Sequence, residues 1–143
     1  IIDKKDYVSS YPLTDRCWDG TLVGNYLVET SSGFSGQPVY WPRLPQEDCD
    51  FVRYCEAGYR RFFSIHRKST LLVVTLALGT WSGGERVSWM FRSVGVTGRN
   101  PLTVVTPGFD ADETLRINRD LHSQYDQIIL IGNPSFIRRI IDE

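Results

Sequence analysis

Cysteine and histidine are scarce in this chain, which has three cysteines and two histidines among 143 residues. Cys49 and Cys55 have five residues between them and no histidine beside them, a spacing typical neither of a zinc site nor of a redox pair. Cys17 stands apart from both. A chain of this length can bury a core without disulfides, which favours a cytoplasmic location. We therefore expect inert thiols and no metal ion held by the protein.

Long apolar segments and an excess of one charge are also missing. The longest apolar stretch covers residues 71–78, is interrupted by Thr75, and is far shorter than the roughly 20 residues that a membrane-spanning helix requires. Lys and Arg together number 16 and Asp and Glu 17, which leaves a formal charge of −1. A balance of this kind does not favour binding to polyanions. We expect neither a membrane nor a nucleic acid as partner.

The sequence does contain enough apolar material for one folded domain. Hydrophobic residues make up 41% and aromatic residues 13% of the chain, which excludes intrinsic disorder. The chain opens on Ile1 and closes on Glu143 inside a helical pattern, so we expect it to be the N-terminal part of a larger protein. Such a part would leave apolar surface open, and we expect copies of it to associate.

Residues 1–26 carry many turn signals and little periodicity. Tyr11-Pro12, Asp19-Gly20 and Gly24-Asn25 interrupt any long element there. We interpret 1–26 as a wrapping segment and 27–143 as an α/β unit. That unit begins with a short strand, a loop of small residues and a second short strand.

The remainder of the chain alternates between apolar runs and helical patterns, with strands expected at 71–78, 102–106 and 127–131. This order predicts an open, mostly parallel α/β sheet with helices on both faces, the helix after Asp110 being capped by that residue. Ligands of such sheets bind beyond the carboxyl ends of the strands, where the loops at Gly79, Pro107 and Gly132 lie. Inward-facing helix positions are expected at Phe51, Cys55, Tyr59, Phe62, Phe63, Val87, Met90, Phe91, Val94, Phe136, Ile137, Ile140 and Ile141.

The loop after the first strand is rich in serine and glycine. Glycines let backbone N–H groups converge on a phosphate, and serine hydroxyls add donors without bulk. The expected phosphate-binding residues are Ser31, Ser32, Gly33, Phe34, Ser35, Gly36 and Gln37. The same composition also fits a hairpin loop of small residues without a ligand.

Two common motifs do not fit this loop. A Walker motif is excluded because Gly33 and Gly36 are only three residues apart and no Lys-Ser or Lys-Thr follows them. A serine hydrolase would need glycines two residues before and after its nucleophile, a condition that neither Ser35 nor Ser82 meets. His66 or His122 would have to supply the base of such a hydrolase, which we keep only as an alternative.

Four segments in the same order resemble one enzyme family. The loop resembles the phosphate-binding motif Ser-Ser-Gly-Thr-Thr-Gly-Lys-Pro of adenylate-forming enzymes, and most closely that of the phenylacetate-coenzyme A ligase branch. Residues 3–12 resemble the Lys-x-Asp-Leu and Tyr-Pro segment of that branch, and residues 79–84 its Gly-Leu-Phe-Thr-Gly-Gly. Residues 105–121 and 129–135 resemble its next strand and helix and its Val-Gly-Thr-Pro-Ser turn. The resemblance covers nearly the whole chain.

The resemblance implies a ligase that activates an aryl or acyl carboxylic acid with ATP and Mg²⁺ and transfers it to a thiol, usually that of coenzyme A. It implies that the serine and glycine loop holds the β- and γ-phosphates and that Trp81, Gly83 and Gly84 border the acid. The alternative is that Trp81 packs in the core and that Gly83 and Gly84 are ordinary glycines at the start of a helix. The later elements of the family, including its catalytic lysine, are missing here. We therefore expect no catalytic residue in this stretch and no activity from it alone.

Two residues depart from the family motif. Phe34 replaces a threonine, and Gln37 replaces the lysine whose charged hydrogen bonds would be about twice as strong as neutral ones. Three interpretations stay open: weaker ATP binding, compensation by another cation such as Arg43, or a changed reaction. A non-catalytic module that binds a nucleotide or a partner on the same fold is the first alternative function.

Overall fold

The structure is a computed structural model that describes residues 3–31 and 37–142. Its strands are β1 (Leu27–Thr30), β2 (Tyr40–Arg43), β3 (Thr70–Thr75), β4 (Leu102–Val105) and β5 (Gln127–Gly132). Its α-helices are α1 (Pro45–Phe63), α2 (Ser82–Thr97), α3 (Ala111–Leu121) and α4 (Pro134–Asp142).

Strand β3 is the centre of a three-stranded parallel sheet in the order β4-β3-β5. Four apolar residues, Leu71 to Val74, lie between Thr70 and Thr75, and all four are 0% exposed. A continuously apolar strand of this kind is the signature of burial on both faces. The predicted mostly parallel sheet is confirmed.

Helices cover both faces of the sheet, as predicted. Leu72 and Val74 pack with Met90 and Phe91 of α2 on one face, where α1 also contributes to the core. Leu71 and Val73 point to the opposite face, because side chains alternate along a strand, and they are equally buried. Since β4 and β5 flank β3 on opposite sides, right-handed crossovers put α2 and α3 on opposite faces.

The boundaries of several elements differ from the prediction. Strand β3 ends at Thr75, and residues 76–78 belong to the following loop. Phe62, Phe63 and Ile141 were expected to face inward, and all three are exposed, so these three assignments are wrong. Asp110 caps α3 as predicted, since its carboxylate accepts a hydrogen bond from the Glu113 amide at 2.9 Å.

The segment before β1 consists of short turns, as its sequence predicts. One π-helical turn (Lys4–Val8) and two 3-10 turns (Thr14–Arg16 and Trp18–Gly20) precede the antiparallel hairpin of β1 and β2. The division at residue 26 and the wrapping role stay predictions. Within the described ranges, no helix combines the length and the apolar character needed to cross a membrane.

Candidate ligand site at the carboxyl edge of the sheet

The loops that follow β3, β4 and β5 meet at one edge of the sheet. The backbone reverses there at Gly79 and Gly108, whose φ angles of 87° and 70° favour glycine. The Gly108 amide donates to the Val74 oxygen at 3.3 Å, which ties the loop after β4 to β3. A Cβ added to Gly132 would lie 1.9 Å from Oγ1 of Thr75, so β5 can approach β3 this closely only with glycine. The edge between β3 and β5 is the point where the strand order reverses.

The hairpin of β1 and β2 reaches this same edge. The Thr30 amide donates to the Thr80 oxygen at 2.7 Å, and Thr30 forms an isolated parallel bridge with Trp81. The Thr30 hydroxyl lies 3.2 Å from the same Thr80 oxygen. These contacts bring the start of the serine and glycine loop beside segment 79–84, which is 50 residues further along the chain.

The base of the loop is closed by Ser31 and Val39. The Ser31 amide donates to the Val39 oxygen at 2.9 Å, and the Val39 amide donates back to the Ser31 hydroxyl oxygen at 2.9 Å. The Ser31 hydroxyl oxygen therefore helps to hold the two ends of the loop together. Of the expected phosphate-binding residues, five lie outside the described part of the chain: Ser32, Gly33, Phe34, Ser35 and Gly36.

Gln37 lies at the carboxyl end of the loop and is exposed. Its backbone oxygen accepts a hydrogen bond from Nζ of Lys4 at 3.0 Å, so the amino-terminal segment contacts the loop at this point.

Trp81 is exposed at the carboxyl edge, where 46% of its surface remains accessible. This position argues against a core-packing tryptophan, and a role for Trp81 beside the acid stays a prediction. Trp81 is the N-cap of α2, and its side chain makes no capping hydrogen bond.

Gly83 and Gly84, the two glycines expected to border the acid, differ in their surroundings. A Cβ at Gly84 would lie 2.0 Å from the Ala77 oxygen, whereas a Cβ at Gly83 would meet only Leu76, at 3.9 Å. Gly84 is therefore required by the close packing of α2 against the loop after β3. The surroundings of Gly83 do not require a glycine at that position.

A buried ionic cluster, which the sequence did not reveal, fixes the hairpin to the helices. Asp48 is 0% exposed and accepts hydrogen bonds from Arg86 at 2.6 Å and from the Tyr26 hydroxyl. The Arg86 guanidinium also lies 4.6 Å from the ring centre of Phe51. Burial, followed by the hydrogen bond to Asp48, raises the pKa of Tyr26. The cluster joins the residue before β1 to α1 and α2, through side chains that are far apart in sequence.

A second buried ion pair holds the two strands of the hairpin. Glu29 is 1% exposed, and its Oε2 lies 2.8 Å from Nε of Arg43. Arg43 was one candidate for the cation missing from the loop. In the structure it is engaged by Glu29 instead, which argues against that interpretation.

The two histidines lie far from the serine of the hydrolase alternative. His66 and His122 come before the amino ends of β3 and β5, whereas Ser82 follows the carboxyl end of β3. A strand of six residues spans about 20 Å, so neither imidazole reaches Ser82. This separation argues against a hydrolase built on Ser82.

The cysteines make no cross-link. Cys17, Cys49 and Cys55 are free thiols. In the ranges 3–31 and 37–142, no three His, Cys, Asp or Glu side chains are grouped so that they could hold a metal ion.

The fold defines an open α/β protein whose candidate ligand site lies beyond the carboxyl ends of its parallel strands. A scan against protein-family models and a search of the curated proteins found no match to this chain. The function must therefore be argued from the residues that meet at this edge.

Proposed function

We propose that this chain is part of an ATP-dependent ligase that activates a carboxylic acid as an acyl-adenylate, with residues 31–37 binding the phosphates of ATP. One observation carries the proposal: the 2.7 Å hydrogen bond from the Thr30 amide to the Thr80 oxygen joins the serine and glycine loop to segment 79–84. These two segments are the ones that resemble the phosphate loop and the acid-binding turn of phenylacetate-coenzyme A ligases. ATP and acid can react only if their binding segments are adjacent.

The proposed reaction turns a poor electrophile into a good one. A carboxylate oxygen of an aryl or acyl acid attacks the α-phosphorus of ATP, and the bond from that phosphorus to pyrophosphate breaks. Pyrophosphate leaves, and the acid becomes a mixed anhydride with AMP. A thiol such as that of coenzyme A then attacks the acyl carbon and AMP departs. The residues of this chain contribute by positioning both substrates and neutralising charge.

The amino terminus of α2 supports the same assignment. This helix has 16 residues, and the side chain of its N-cap residue, Trp81, makes no capping hydrogen bond. The helix begins at the edge where the loop starts, and the backbone amides at the amino terminus of a helix stabilise negative charge. Trp81, at the same helix end, offers an apolar surface for the organic part of the acid.

Pyrophosphate release by the full-length protein tests the proposal. Release is measured with MgATP and a panel of aryl and fatty acids, for the wild type, Ser32→Ala and Gln37→Lys. We expect release that depends on the acid, falls with Ser32→Ala, and rises with Gln37→Lys because the added ammonium makes stronger bonds to phosphate.

Two matched variants serve as controls for this assay. Ser123→Ala and Gln124→Lys make the same chemical changes in the 3-10 turn before β5, at the opposite edge of the sheet. Both should release pyrophosphate at the wild-type rate. A folded wild type that releases none with any acid would rule out the ligase.

The alternative is a module that binds a nucleotide without using it. It is favoured by one feature of the sequence: residues 31–38 contain no lysine or arginine. Such a module would bind MgATP in a titration and release no pyrophosphate with any acid, a result that separates it from the ligase.

A further inference from the structure

A cleft lies between the amino-terminal segment and strand β2. Its volume is about 240 Å³, several times the roughly 30 Å³ that one water molecule occupies in the liquid. Tyr7 and Arg16 line it from the amino-terminal segment, and Tyr40 and Trp41 line it from β2. Among the described residues, none of its wall comes from segment 79–84. The cleft is therefore large enough for one small organic molecule, at a place apart from the helix end that carries Trp81.

Aromatic side chains form much of the wall of this cleft. Tyr7, Tyr40 and Trp41 keep 48%, 53% and 39% of their surfaces exposed, and Val8 and Leu13 add aliphatic surface beside them. Aromatic rings attract other rings by stacking and edge-to-face contact, beyond the gain from burying their area. A flat ring that enters the cleft would bury apolar surface that the protein leaves open.

Arg16 brings a positive charge that the protein does not neutralise. Its Nε is buried and has no hydrogen-bond partner. Within residues 3–31 and 37–142, its guanidinium also forms no ion pair with Asp or Glu. A guanidinium stays charged at every physiological pH, and a buried donor without an acceptor costs free energy. An anion bound at Arg16 would supply both the acceptor and the opposite charge.

The backbone holds Arg16 in a fixed position. Arg16 ends the 3-10 turn of residues 14–16, in which its amide donates to the Leu13 oxygen at 3.1 Å. The next amide, that of Cys17, donates to the Thr14 oxygen at 3.0 Å. A ligand therefore meets a cation whose main chain is already ordered, which lowers the entropy lost on binding.

The other charges of the wall decide which kind of anion fits. Arg43 lines the cleft, but the charge of its guanidinium is balanced by Glu29, whose Oε2 lies 2.8 Å from Nε of Arg43. Glu47 lines the cleft as well. Arg16 is thus a single unbalanced cation with an acid in the same wall. The Glu47 carboxylate would repel a dianion such as phosphate about twice as strongly as a monoanion, so a carboxylate is favoured.

We propose that this cleft binds a small aromatic carboxylate, whose acid group pairs with Arg16 and whose ring lies against Tyr7, Tyr40 and Trp41. The planar fork of arginine can donate two parallel hydrogen bonds to one carboxylate. The inference does not rest on the proposed function, because it uses neither the serine and glycine loop nor ATP.

Titration calorimetry on the full-length protein, without ATP, tests which features of the ligand matter. The probes are benzoate, cinnamate, benzamide and cyclohexanecarboxylate. We expect benzoate or cinnamate to bind. Benzamide has the shape of benzoate without its charge, so its Kd should be about tenfold higher or more. Cyclohexanecarboxylate keeps the charge and lacks the flat aromatic ring, so it should bind several-fold more weakly than benzoate.

Variants of Arg16 test which residue holds the acid group. Arg16→Met should raise the Kd of the aryl carboxylate about tenfold or more, because the charged hydrogen bonds are lost. Arg16→Lys keeps the charge and loses the fork, so its Kd should lie between those of Arg16→Met and the wild type. Arg138→Met, an exposed change on α4, is the matched control and should bind with wild-type Kd. Arg16→Lys keeps the test valid even if Arg16→Met fails to fold.

Two outcomes would overturn the inference. One is a folded wild type that binds neither benzoate nor cinnamate. The other is a wild-type Kd in both Arg16 variants, and a loss of binding in Trp81→Ala alongside it would place the acid at the carboxyl edge instead. Pyrophosphate release is measured separately, so the ligase and this cleft stand or fall on different results.

Discussion

Gly84 has no side chain, and this lets α2 begin in close contact with the loop after β3. Its Cα lies so close to the loop after β3 that a Cβ would be 2.0 Å from the Ala77 oxygen. Real Cβ atoms do not approach backbone oxygens this closely, so α2 or the loop would have to move. Gly83, its neighbour in the same helical turn, has room for a methyl group.

We predict opposite effects for alanine at these two positions. Gly84→Ala should lower the free energy of unfolding by about 1–3 kcal/mol, the usual cost of forcing atoms into a packed interface. Gly83→Ala should be neutral or stabilising by up to about 1 kcal/mol, because alanine reduces the freedom of the unfolded chain. Urea unfolding of both variants checks this. Equal destabilisation by both would show that the first turn of α2 is not packed as described.

Tyr26 donates a hydrogen bond to the buried carboxylate of Asp48, although 45% of its own surface is exposed. Burial, and after it the hydrogen bond to Asp48, raises its pKa above the usual value for tyrosine. Because the folded-state pKa exceeds the unfolded value of about 10, the stabilisation is complete below that pH. It is lost as the pH rises towards the folded-state value.

Tyr26→Phe should lower the free energy of unfolding at neutral pH by about 1–3 kcal/mol, since Asp48 would lose a donor in a buried site. It should also make the loss of stability above about pH 10 shallower than in the wild type. Urea unfolding at neutral and alkaline pH measures both effects. Tyr54→Phe, an exposed change on α1, the helix that carries Asp48, is the matched control and should follow the wild type. A Tyr26→Phe variant as stable as its control would contradict the role of the cluster.

Helix α4 buries only part of its apolar surface against the rest of the protein. Ile140 is 7% exposed and Ile141 is 72% exposed, although both are isoleucines in the same helical turn. We expect Ile140→Ala to lower the free energy of unfolding by about 2–4 kcal/mol, because it removes buried methylene groups and leaves a cavity. Ile141→Ala should change it by less than about 0.5 kcal/mol. Thermal or urea unfolding checks both, and similar losses from both variants would mean that α4 is rotated about its axis.

The order of strands and helices could be predicted because each element has its own local pattern. Strand β3 is continuously apolar from Leu71 to Val74, and the side chain of Asp110 caps the start of α3. The end of β3 could not be predicted, because residues 76–78 are as apolar as the strand itself. Thr75 pairs with Gly132, and the chain of β5 turns away after that residue. Beyond Thr75, β3 has no partner strand on that side, so it ends.

The ligand edge could be predicted in part and the buried cluster could not. Parallel strands bring their following loops together, which makes the loops at Gly79 and Gly132 neighbours. No pattern within a window of ten or twenty residues relates Tyr26, Asp48 and Arg86, because they come from three elements. In the sequence, Asp48 is typical of an exposed acid in the first turn of a helix.

At the scale of the whole molecule, the protection of backbone amides against hydrogen exchange should be highest in β3 and lower in the outer segments. All four residues from Leu71 to Val74 are fully buried, whereas the segment before β1 is held in short turns. We predict that the amides of β3 exchange only on global unfolding, and that those of residues 3–26 exchange orders of magnitude faster. Hydrogen exchange followed by mass spectrometry measures this. Equal protection would show that 3–26 is part of the folding core and not a covering segment.

Ser31 and Val39 hold the ends of the serine and glycine loop through two reciprocal hydrogen bonds, each 2.9 Å long. The chain leaves the hairpin at Ser31 and rejoins it at Val39, so the register of β1 and β2 does not depend on the residues between them. We therefore expect the pairing of β1 with β2 to tolerate substitutions at positions 32–38, because the bonds that close the hairpin are made by Ser31 and Val39.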